Sequence, residues 1–527
     1  MTFIQRAASR KLALCAIATA LLWWLSLQQL GLFALGWIAL TPVLWACGEV
    51  LSPRARFFYG WRAGFLCFIL HNWWLLPTIT KSSVMIGVPP AGGALLGVLA
   101  VGLISTGHGL GVAILAAVWN PRARIFQRLP WLLPIIAALI WLAFDWARCQ
   151  GELAHSWGAL AYSQWRDAAF LQSASIIGQH GLSALCLWLA ANLALWLRPE
   201  YSARATGLWR VPIAIIAILH FWGAWRIWNY DHTPREMMRV LLVQTNVSSL
   251  TQSGSESQFE QAERLTLEYS ARGELPKPEL FKPELVVWPE TSAELTAGDI
   301  QFDLESNRFV PTRARHEARA AILARELGVP LLLGAQVSTF QSSGSQSSSF
   351  STQRGSRNSG ALSNRAVLFG ADGSAQSRGK THVVPFGERA PFGKWLPFLS
   401  QLAPEPPVVP ETLIAPMELS ASSNAKRARR VATAICFESC FVFPSRALKN
   451  QGAGVLFVLT NDEWFAGTNA PWEHAAMSTL RAVENGIPIA QAANGGYSFA
   501  IDGCGRFLAK STFGEAQIIE AQMPLAR

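Results

Sequence analysis

The chain has 527 residues, 51% hydrophobic and only 15% charged, with 23 Trp. Soluble proteins average about 25% charged residues, and disorder needs low hydrophobicity, so one large soluble enzyme and a disordered chain are both excluded. The net charge of +10 lies wholly in residues 1–230, which carry 16 Lys+Arg against 5 Asp+Glu and 19 of the Trp, while residues 231–527 carry 28 against 29; that pairing belongs to membrane loops and interfaces and excludes nucleic-acid binding.

A helix needs roughly 20 mainly apolar residues to cross the hydrocarbon core. Such runs fall at Leu12–Leu27, Leu30–Cys47, Ala63–Ile79, Ala91–Trp119, Trp131–Ala147, Ala168–Leu197 and Val211–Tyr230, predicting a membrane domain of about seven spans over residues 1–230. The first is expected to be retained rather than cleaved, because no small-residue cleavage site follows it. Basic residues alternate across the loops. Arg6, Arg10 and Lys11, then Arg54, Arg56 and Arg62, then Arg122, Arg124 and Arg128, then Arg198, Arg204 and Arg210 lie on one side, against Lys81, Arg148 and Arg166 on the other. The positive-inside rule then places the N-terminus in the cytoplasm and everything after Tyr230 on the opposite face, the periplasm for a bacterial inner membrane. Asp145, Arg148 and His155 read as an interfacial charged loop or, more sharply, a lateral site for lipid headgroups. His71, His108, His180 and His220 are expected to cap or pair within the bundle.

From Met238 short β-rich runs alternate with helical ones. Strands are predicted at Arg239–Gln244, Leu285–Trp288, Pro330–Gln336, Ala361–Phe369, Thr381–Val384, Val431–Ile435, Val455–Thr460, Pro488–Ala493 and Tyr497–Ile501. Helices are predicted at Glu256–Ala271, Thr312–Leu327, Phe443–Asn450 and Pro471–Asn485. Such alternation argues for an α/β layered domain over 231–527. Ser338–Gly360, with ten Ser in 23 residues, reads as a flexible surface insertion. Ala421–Arg430, which ends in a basic run, reads as a solvated loop. Five of the eight Cys fall in the apolar half, and Cys436, Cys440 and Cys504 form neither a disulfide framework nor a zinc site.

Three strand ends carry chemistry. Leu285-Val-Val-Trp-Pro-Glu290 holds a carboxylate at a sheet edge, where desolvation raises its pKa toward that of a useful base. Gly379-Lys380-Thr-His-Val-Val-Pro-Phe-Gly-Glu388 supplies a cation and a second carboxylate. Ala434-Ile-Cys436-Phe-Glu438 places a thiol where a strand can turn sharply toward a pocket. Singly, each has a plain reading as turn, solvated charge or packing. Together they give a thiol its base and an oxyanion its positive donor.

The order and flanks of these segments resemble the carbon–nitrogen hydrolase (nitrilase) superfamily with its Glu-Lys-Cys triad. Joined to a seven-span bundle, they resemble the apolipoprotein N-acyltransferase family of Gram-negative bacteria. Thr460-Asn-Asp-Glu-Trp-Phe-Ala-Gly467, Pro471-Trp-Glu-His474, Arg481-Ala-Val-Glu-Asn, Asn494-Gly-Gly496, Leu160-Ala-Tyr-Ser-Gln164 and Gly178-Gln-His-Gly-Leu-Ser183 are similar to that family's blocks. The resemblance implies an αββα-sandwich domain after the membrane bundle. It also implies Cys436 as nucleophile, Glu290 as general base and Lys380 as oxyanion stabiliser, with the Phe437 N–H sharing the oxyanion. Glu388 supports the Lys, Glu438 and Trp464 line the pocket, and Asn461, Asp462 and Asn494 are structural. The sequence departs from the family at Phe437, where relatives often have Tyr. It also departs in the polar run after Asn246, and at its end, where no eighth span is expected after Gly503.

The implied reaction is ping-pong transfer of a fatty acyl chain from a phospholipid donor, through a Cys436 thioester, to the α-amine of an S-diacylglyceryl apolipoprotein acceptor. It needs no cofactor or metal, and a monomer in contact with membrane lipid is expected. Two rivals are a membrane-tethered amidase using the same triad on a soluble amide, and a non-catalytic transporter or scaffold in which the triad is replaceable.

Overall fold

The computed structural model describes residues 3–50, 52–85, 87–202, 210–248, 256–271, 283–295, 300–303, 308–339, 361–404, 407–420 and 428–526. Arg204, the polar run 249–255, most of the Ser-rich insertion and residues 421–427 lie outside the described residues. The chain forms two units. One comprises 1–234 with 464–486 and 503–506; the other comprises 235–463, 487–502 and 507–527.

The first unit is helical: α1 (Phe3–Ser26), α2 (Thr41–Cys47), α3 (Pro53–Asn72), α4 (Leu75–Met85), α5 (Pro90–Val118), α6 (Arg124–Arg128), α7 (Leu132–Ala147), α8 (Ala168–Leu171), α9 (Ala174–Trp196), α10 (Pro199–Ser202) and α11 (Arg210–Asp231). Three of these, α5, α9 and α11, are long and apolar enough to cross a membrane, and the α3–α4 pair, bent by 52°, adds a fourth if counted as one span. The second and fifth apolar runs appear as the shorter helices Phe33–Cys47 and Leu132–Ala147. Small residues let backbones approach: Gly64 of α3 meets Gly109 of α5.

Most polar groups among the apolar helices pair internally. Asp145 is fully buried and accepts from Arg148 Nε (2.9 Å) and pairs with His180 Nδ1 (2.8 Å). Arg148 Nη1 also donates to the carbonyls of His155 and Trp157 (3.0 and 2.8 Å), so its guanidinium is committed to the protein. That favours the interfacial-loop reading over a headgroup site. His155 pairs with Asn72 (2.8 Å) and His220 with Asp167 (2.7 Å). His71 differs from the expectation of pairing, since neither ring nitrogen has a hydrogen-bond partner among the described residues; its ring packs on Trp23 and Phe68.

Helix α9 is interrupted at Gly178 (φ 65°, ψ −178°), a conformation open essentially to glycine. The break frees the Gln179 N–H to donate to Glu484 Oε1 (2.6 Å), while Gln179 Oε1 accepts from Arg481 Nη2 (2.8 Å) and the Tyr162 hydroxyl (2.9 Å). Arg481 and Glu484 belong to Ala470–Asn485, a helix far along the chain that clusters with this unit.

Among the described residues the second unit holds two large sheets and a two-stranded ribbon. Their strands are β1 (Met237–Gln244), β2 (Leu285–Val287), β3 (Ala293–Leu295), β4 (Ile300–Asp303), β5 (Arg308–Pro311), β6 (Leu331–Thr339), β7 (Ala361–Phe369), β8 (Ala375–Gly379), β9 (Met417–Leu419), β10 (Arg429–Ile435), β11 (Val455–Asn461), β12 (Ile489–Asn494), β13 (Phe499–Ile501), β14 (Phe507–Lys510) and β15 (Gln517–Pro524). One sheet runs β15-β1-β2-β6-β7-β8 with β3 on β6; the other runs β14-β13-β12-β11-β10-β9; β4 and β5 form a separate ribbon. The central pairs β1–β2, β2–β6, β10–β11 and β11–β12 are parallel. Parallel strands are buried on both faces, which is why these runs read as continuous rather than alternating apolar stretches.

Alternate residues of the two sheets form one core, with Val240, Leu242 and Val287 from one side and Val431, Phe457 and Leu459 from the other. The opposite face of the first sheet (Leu241, Val286, Leu333) is covered by Phe259 and Ala262 of α12 (Gln258–Ala271) and by Ala320 and Leu323 of α13 (Thr312–Leu327). Helix α14 (Val442–Asn450) packs on β10.

The expectation of a strand at Thr381–Val384 is corrected. The strand is β8, which ends at Gly379. The Thr381 and Val384 N–H groups donate to Glu438 Oε1 (2.6 Å) and Glu388 Oε2 (2.7 Å), so side-chain carboxylates replace the ladder partners a strand would need. The final strand β15, which pairs antiparallel along all of β1, had no counterpart in the sequence reading.

Candidate active site

Each functional side chain stands where a strand stops. Glu290 follows β2 after Trp288-Pro289, and a Cβ at Gly334 on the neighbouring β6 would lie 2.4 Å from the Glu290 Cα, so the close approach requires glycine there. Lys380 follows β8, its N–H donating to the Asn364 carbonyl of β7 (2.8 Å). Cys436 follows β10 at φ 47°, a left-handed conformation that is strained for a side chain other than glycine. Among the described residues four non-glycines have positive φ, and three of them, Thr291, Phe386 and Cys436, lie at or within two residues of Glu290, Glu388 and the thiol. Strain concentrated there marks the site rather than the fold.

The Lys380 ammonium bridges two carboxylates, donating to Glu290 Oε1 (3.1 Å) and Glu388 Oε1 (2.9 Å), and it is 1% exposed. Asn364 Nδ2 spans the same pair at 2.7 and 3.1 Å. The second Glu290 oxygen accepts from the Asn461 N–H (3.0 Å), and the second Glu388 oxygen closes its own loop onto Val384. Glu438 is fully buried and accepts from Ile435 N–H (2.8 Å), from Arg378 Nη1 and Nη2 (3.2 and 3.3 Å) and from both the N–H and hydroxyl of Thr381 (2.6 Å each).

Burial pushes the Glu290 carboxyl up, opposed by Lys380 and reinforced by Glu388. Burial likewise pushes the Cys436 thiol well up, with Glu290 and Asp462 adding to the rise while Lys380 and a hydrogen bond from Thr460 oppose it. Cys436 keeps some accessible surface although protein crowds its sulfur. Burial disfavours the Lys380 ammonium, but the charges of Glu290 and Glu388 oppose this and hold the amine protonated, well above its ordinary range. The resting site is therefore a protonated thiol beside a paired carboxylate and a fixed cation. A base that takes the thiol proton while Lys380 and the Phe437 N–H receive developing oxyanion charge is chemistry this arrangement can perform.

Of the residues singled out from sequence, Glu290, Lys380 and Glu388 form one hydrogen-bonded group, and the charges of Glu290 and Lys380 act on Cys436; Glu438 belongs to a second group with Arg378, Thr381 and the Ile435 N–H. Phe437 is half-buried with its ring edge-on to Phe441 (4.9 Å). Trp464 opens the segment that belongs to the helical unit. Asn461 enters through its main-chain N–H, and Asn494 ties Asn461 to Thr245. Asn364, Arg378, Thr381 and Thr460 were not anticipated. Arg378 carries a signal in retrospect, since it stands two residues before Lys380 and residues i and i+2 share a strand face. Asn364 carries none. Among the described residues no group of three or more His, Cys, Asp or Glu is arranged to hold a metal ion.

The chain belongs to the carbon–nitrogen hydrolase family: residues 245–527 match the carbon-nitrogen hydrolase profile. Residues 19–192 match the profile of the apolipoprotein N-acyltransferase N-terminal domain. A Geobacter metallireducens protein named apolipoprotein N-acyltransferase is 27% identical over 524 residues, covering 97% of this chain and 89% of its own. One of the same name from Allorhizobium ampelinum is 28% identical over 513 residues, covering 94% and 86%. Among solved structures, the carbon-nitrogen hydrolase of Helicobacter pylori G27 aligns over 55% of this chain and 90% of its own with 17% identity and a TM-score of 0.37.

Proposed function

We propose that this chain is an apolipoprotein N-acyltransferase acting at the outer face of a bacterial inner membrane. It moves a fatty acyl chain from a phospholipid to the α-amine of an N-terminal S-diacylglyceryl cysteine. Residues 1–230 serve as the membrane domain, with the N-terminus cytoplasmic and about seven crossings. Residues 231–527 carry the catalysis. The observation that carries the reading is Lys380 held between Glu290 and Glu388 beside a strained Cys436, in a chain whose helical half matches an acyltransferase domain.

In the first half-reaction Glu290 takes the thiol proton as Cys436 Sγ bonds to the ester carbonyl. Lys380 and the Phe437 N–H hold the oxyanion. The ester C–O bond breaks, the leaving oxygen takes the proton from Glu290, and a lysophospholipid departs. In the second the amine attacks the thioester, Glu290 takes an amine proton, and the C–S bond breaks to return the thiol. Glu388 and Asn364 position the base and the cation. Both substrates are membrane-anchored, so tethering supplies orientation and restricts encounter to two dimensions. Phe392, Trp395, Phe398 and Leu402, exposed between Glu388 and β9, provide an apolar surface suited to a lipid interface.

The test is covalent. The protein in detergent is incubated with phospholipid labelled on its acyl chain, then treated with neutral hydroxylamine. The expected result is label on the wild type, released by hydroxylamine and absent from Cys436→Ala. A folded wild type that never takes label, yet hydrolyses soluble amides, would replace this reading with the amidase.

A further inference from the structure

The Glu438 carboxylate joins two segments that must act together. It lies two residues after Cys436 and binds back to the Ile435 N–H at the end of β10, so it spans the strained turn that presents the thiol and the Phe437 N–H. Its other donors, Arg378 and Thr381, flank Lys380. Arg378 is 3% exposed and also bonds to the Thr433 carbonyl in β10, the strand that leads into this turn. A carboxylate buried without a cation costs several kcal/mol and relieves that cost by taking up a proton. A protonated Glu438 would present an O–H toward donors that need an acceptor, and the link between the segments would open.

We propose that Arg378 is a positioning residue for the acyl-transfer chemistry. Through Glu438 its guanidinium holds the Cys436 turn and the Lys380 segment in one frame, and it cancels a buried negative charge that would otherwise oppose thiolate formation. The fork geometry suits the task, since two guanidinium nitrogens meet the two carboxylate oxygens. Burial alone would push Glu438 up; Arg378, Thr381 and the Ile435 N–H reverse this and hold it below its ordinary range. Cys436 also faces Glu290, Lys380 and Asp462, and Glu438 also faces His382; the test leaves all of these unchanged.

The role rests on the proposed acyl transfer, but its primary readout does not. Alkylation of Cys436 by iodoacetamide is followed against pH in the full chain in detergent, with the Cys436 peptide quantified by mass spectrometry. Arg378→Gln leaves Glu438 uncompensated and raises the alkylation midpoint by about one pH unit, the scale of a nearby charge. Glu438→Gln leaves Arg378 uncompensated and lowers it. The double variant returns the midpoint to near the wild type, and Arg378→Lys recovers most of the Arg378→Gln loss. A role confined to stability moves both single variants the same way or neither, and either result overturns the proposal. Should Arg378→Gln not fold, Glu438→Gln still decides, because an unchanged or raised midpoint contradicts the charge argument. Thioester labelling of the same variants from phospholipid reports separately. Arg378→Gln is expected to slow it about tenfold or more at neutral pH, while a wild type that alkylates normally and never labels discards the function and not the latch.

Discussion

Glu473 offers a quantitative test of how burial acts on this chain. It lies in the first turns of Ala470–Asn485, 5% exposed; one oxygen accepts from Asn469 Nδ2 (3.2 Å) and the other has no hydrogen-bond partner among the described residues. Burial pushes its carboxyl up to about 8 from the usual 4.5. A carboxyl whose folded pKa lies above its unfolded value binds more protons when folded. The stability it permits is complete below about pH 4.5 and is lost progressively as pH rises to about 8. At about 1.4 kcal/mol per pH unit the loss is at most roughly 5 kcal/mol over that window and roughly 3 by pH 7. Glu473→Gln keeps the shape and removes the titration. Thermal unfolding midpoints of both proteins in one detergent, from pH 5 to 9, should nearly coincide at the acid end and separate in favour of the variant until about pH 8. Parallel curves would refute the reasoning, and a separation that grows toward pH 5 would reverse its sign.

Three further outcomes are expected. Asn364→Leu removes charge-assisted donors from Glu290 and Glu388, each worth about 1.5–3 kcal/mol, and should slow thioester formation by roughly 10- to 100-fold without loss of the folded state; single-turnover labelling measures it. Lys380→Met leaves two carboxylates facing each other at a buried point, so labelling should vanish and stability should fall by about 3–5 kcal/mol, while Lys380→Met with Glu388→Gln regains stability but no activity. Gly178→Ala forces a side chain into a glycine-only conformation, and a destabilisation of about 1–3 kcal/mol should appear as a lowered melting midpoint in detergent. A variant that melts with the wild type would show that the break in α9 tolerates relaxation.

The sequence made the candidate reacting groups visible and hid the groups that hold them. Glu290 and Cys436 each follow an apolar run, and that local pattern survives in the structure as strand ends; Lys380 follows the polar strand Ala375–Gly379. Asn364 reaches Glu290 across 74 residues because β7 pairs with β6 and β8 in a particular register, and nothing local encodes a register set by two sheets packing face to face. Thr381–Val384 has the β-branched composition of a strand and is not one, because carboxylates 57 and four residues from Thr381 and Val384 take the N–H groups first. In the helical unit, apolar runs mark where helices lie but not where they break. Gly178 looks like any small residue until its N–H neighbour is seen bound to Glu484, 305 residues away.

One consequence of the site's charges concerns how a buried thiol reacts at all. Burial raises both the Glu290 carboxyl and the Cys436 thiol, so it leaves the proton transfer between them no easier than in water, and the negative charges of Glu290 and Asp462 hinder the thiolate further. Lys380 opposes the rise at both positions. Its effect on a standing thiolate is therefore offset by its effect on the base, and the net gain appears only when negative charge leaves both groups for a carbonyl oxygen that Lys380 can reach. A thiol kept protonated until an ester arrives is protected from stray electrophiles, and the burial that enforces this also shields the thioester from water. The same arrangement makes neutralised neighbours essential. Any further unpaired carboxylate near the turn would raise the thiol again without helping the base, which is the condition the Arg378–Glu438 pair prevents.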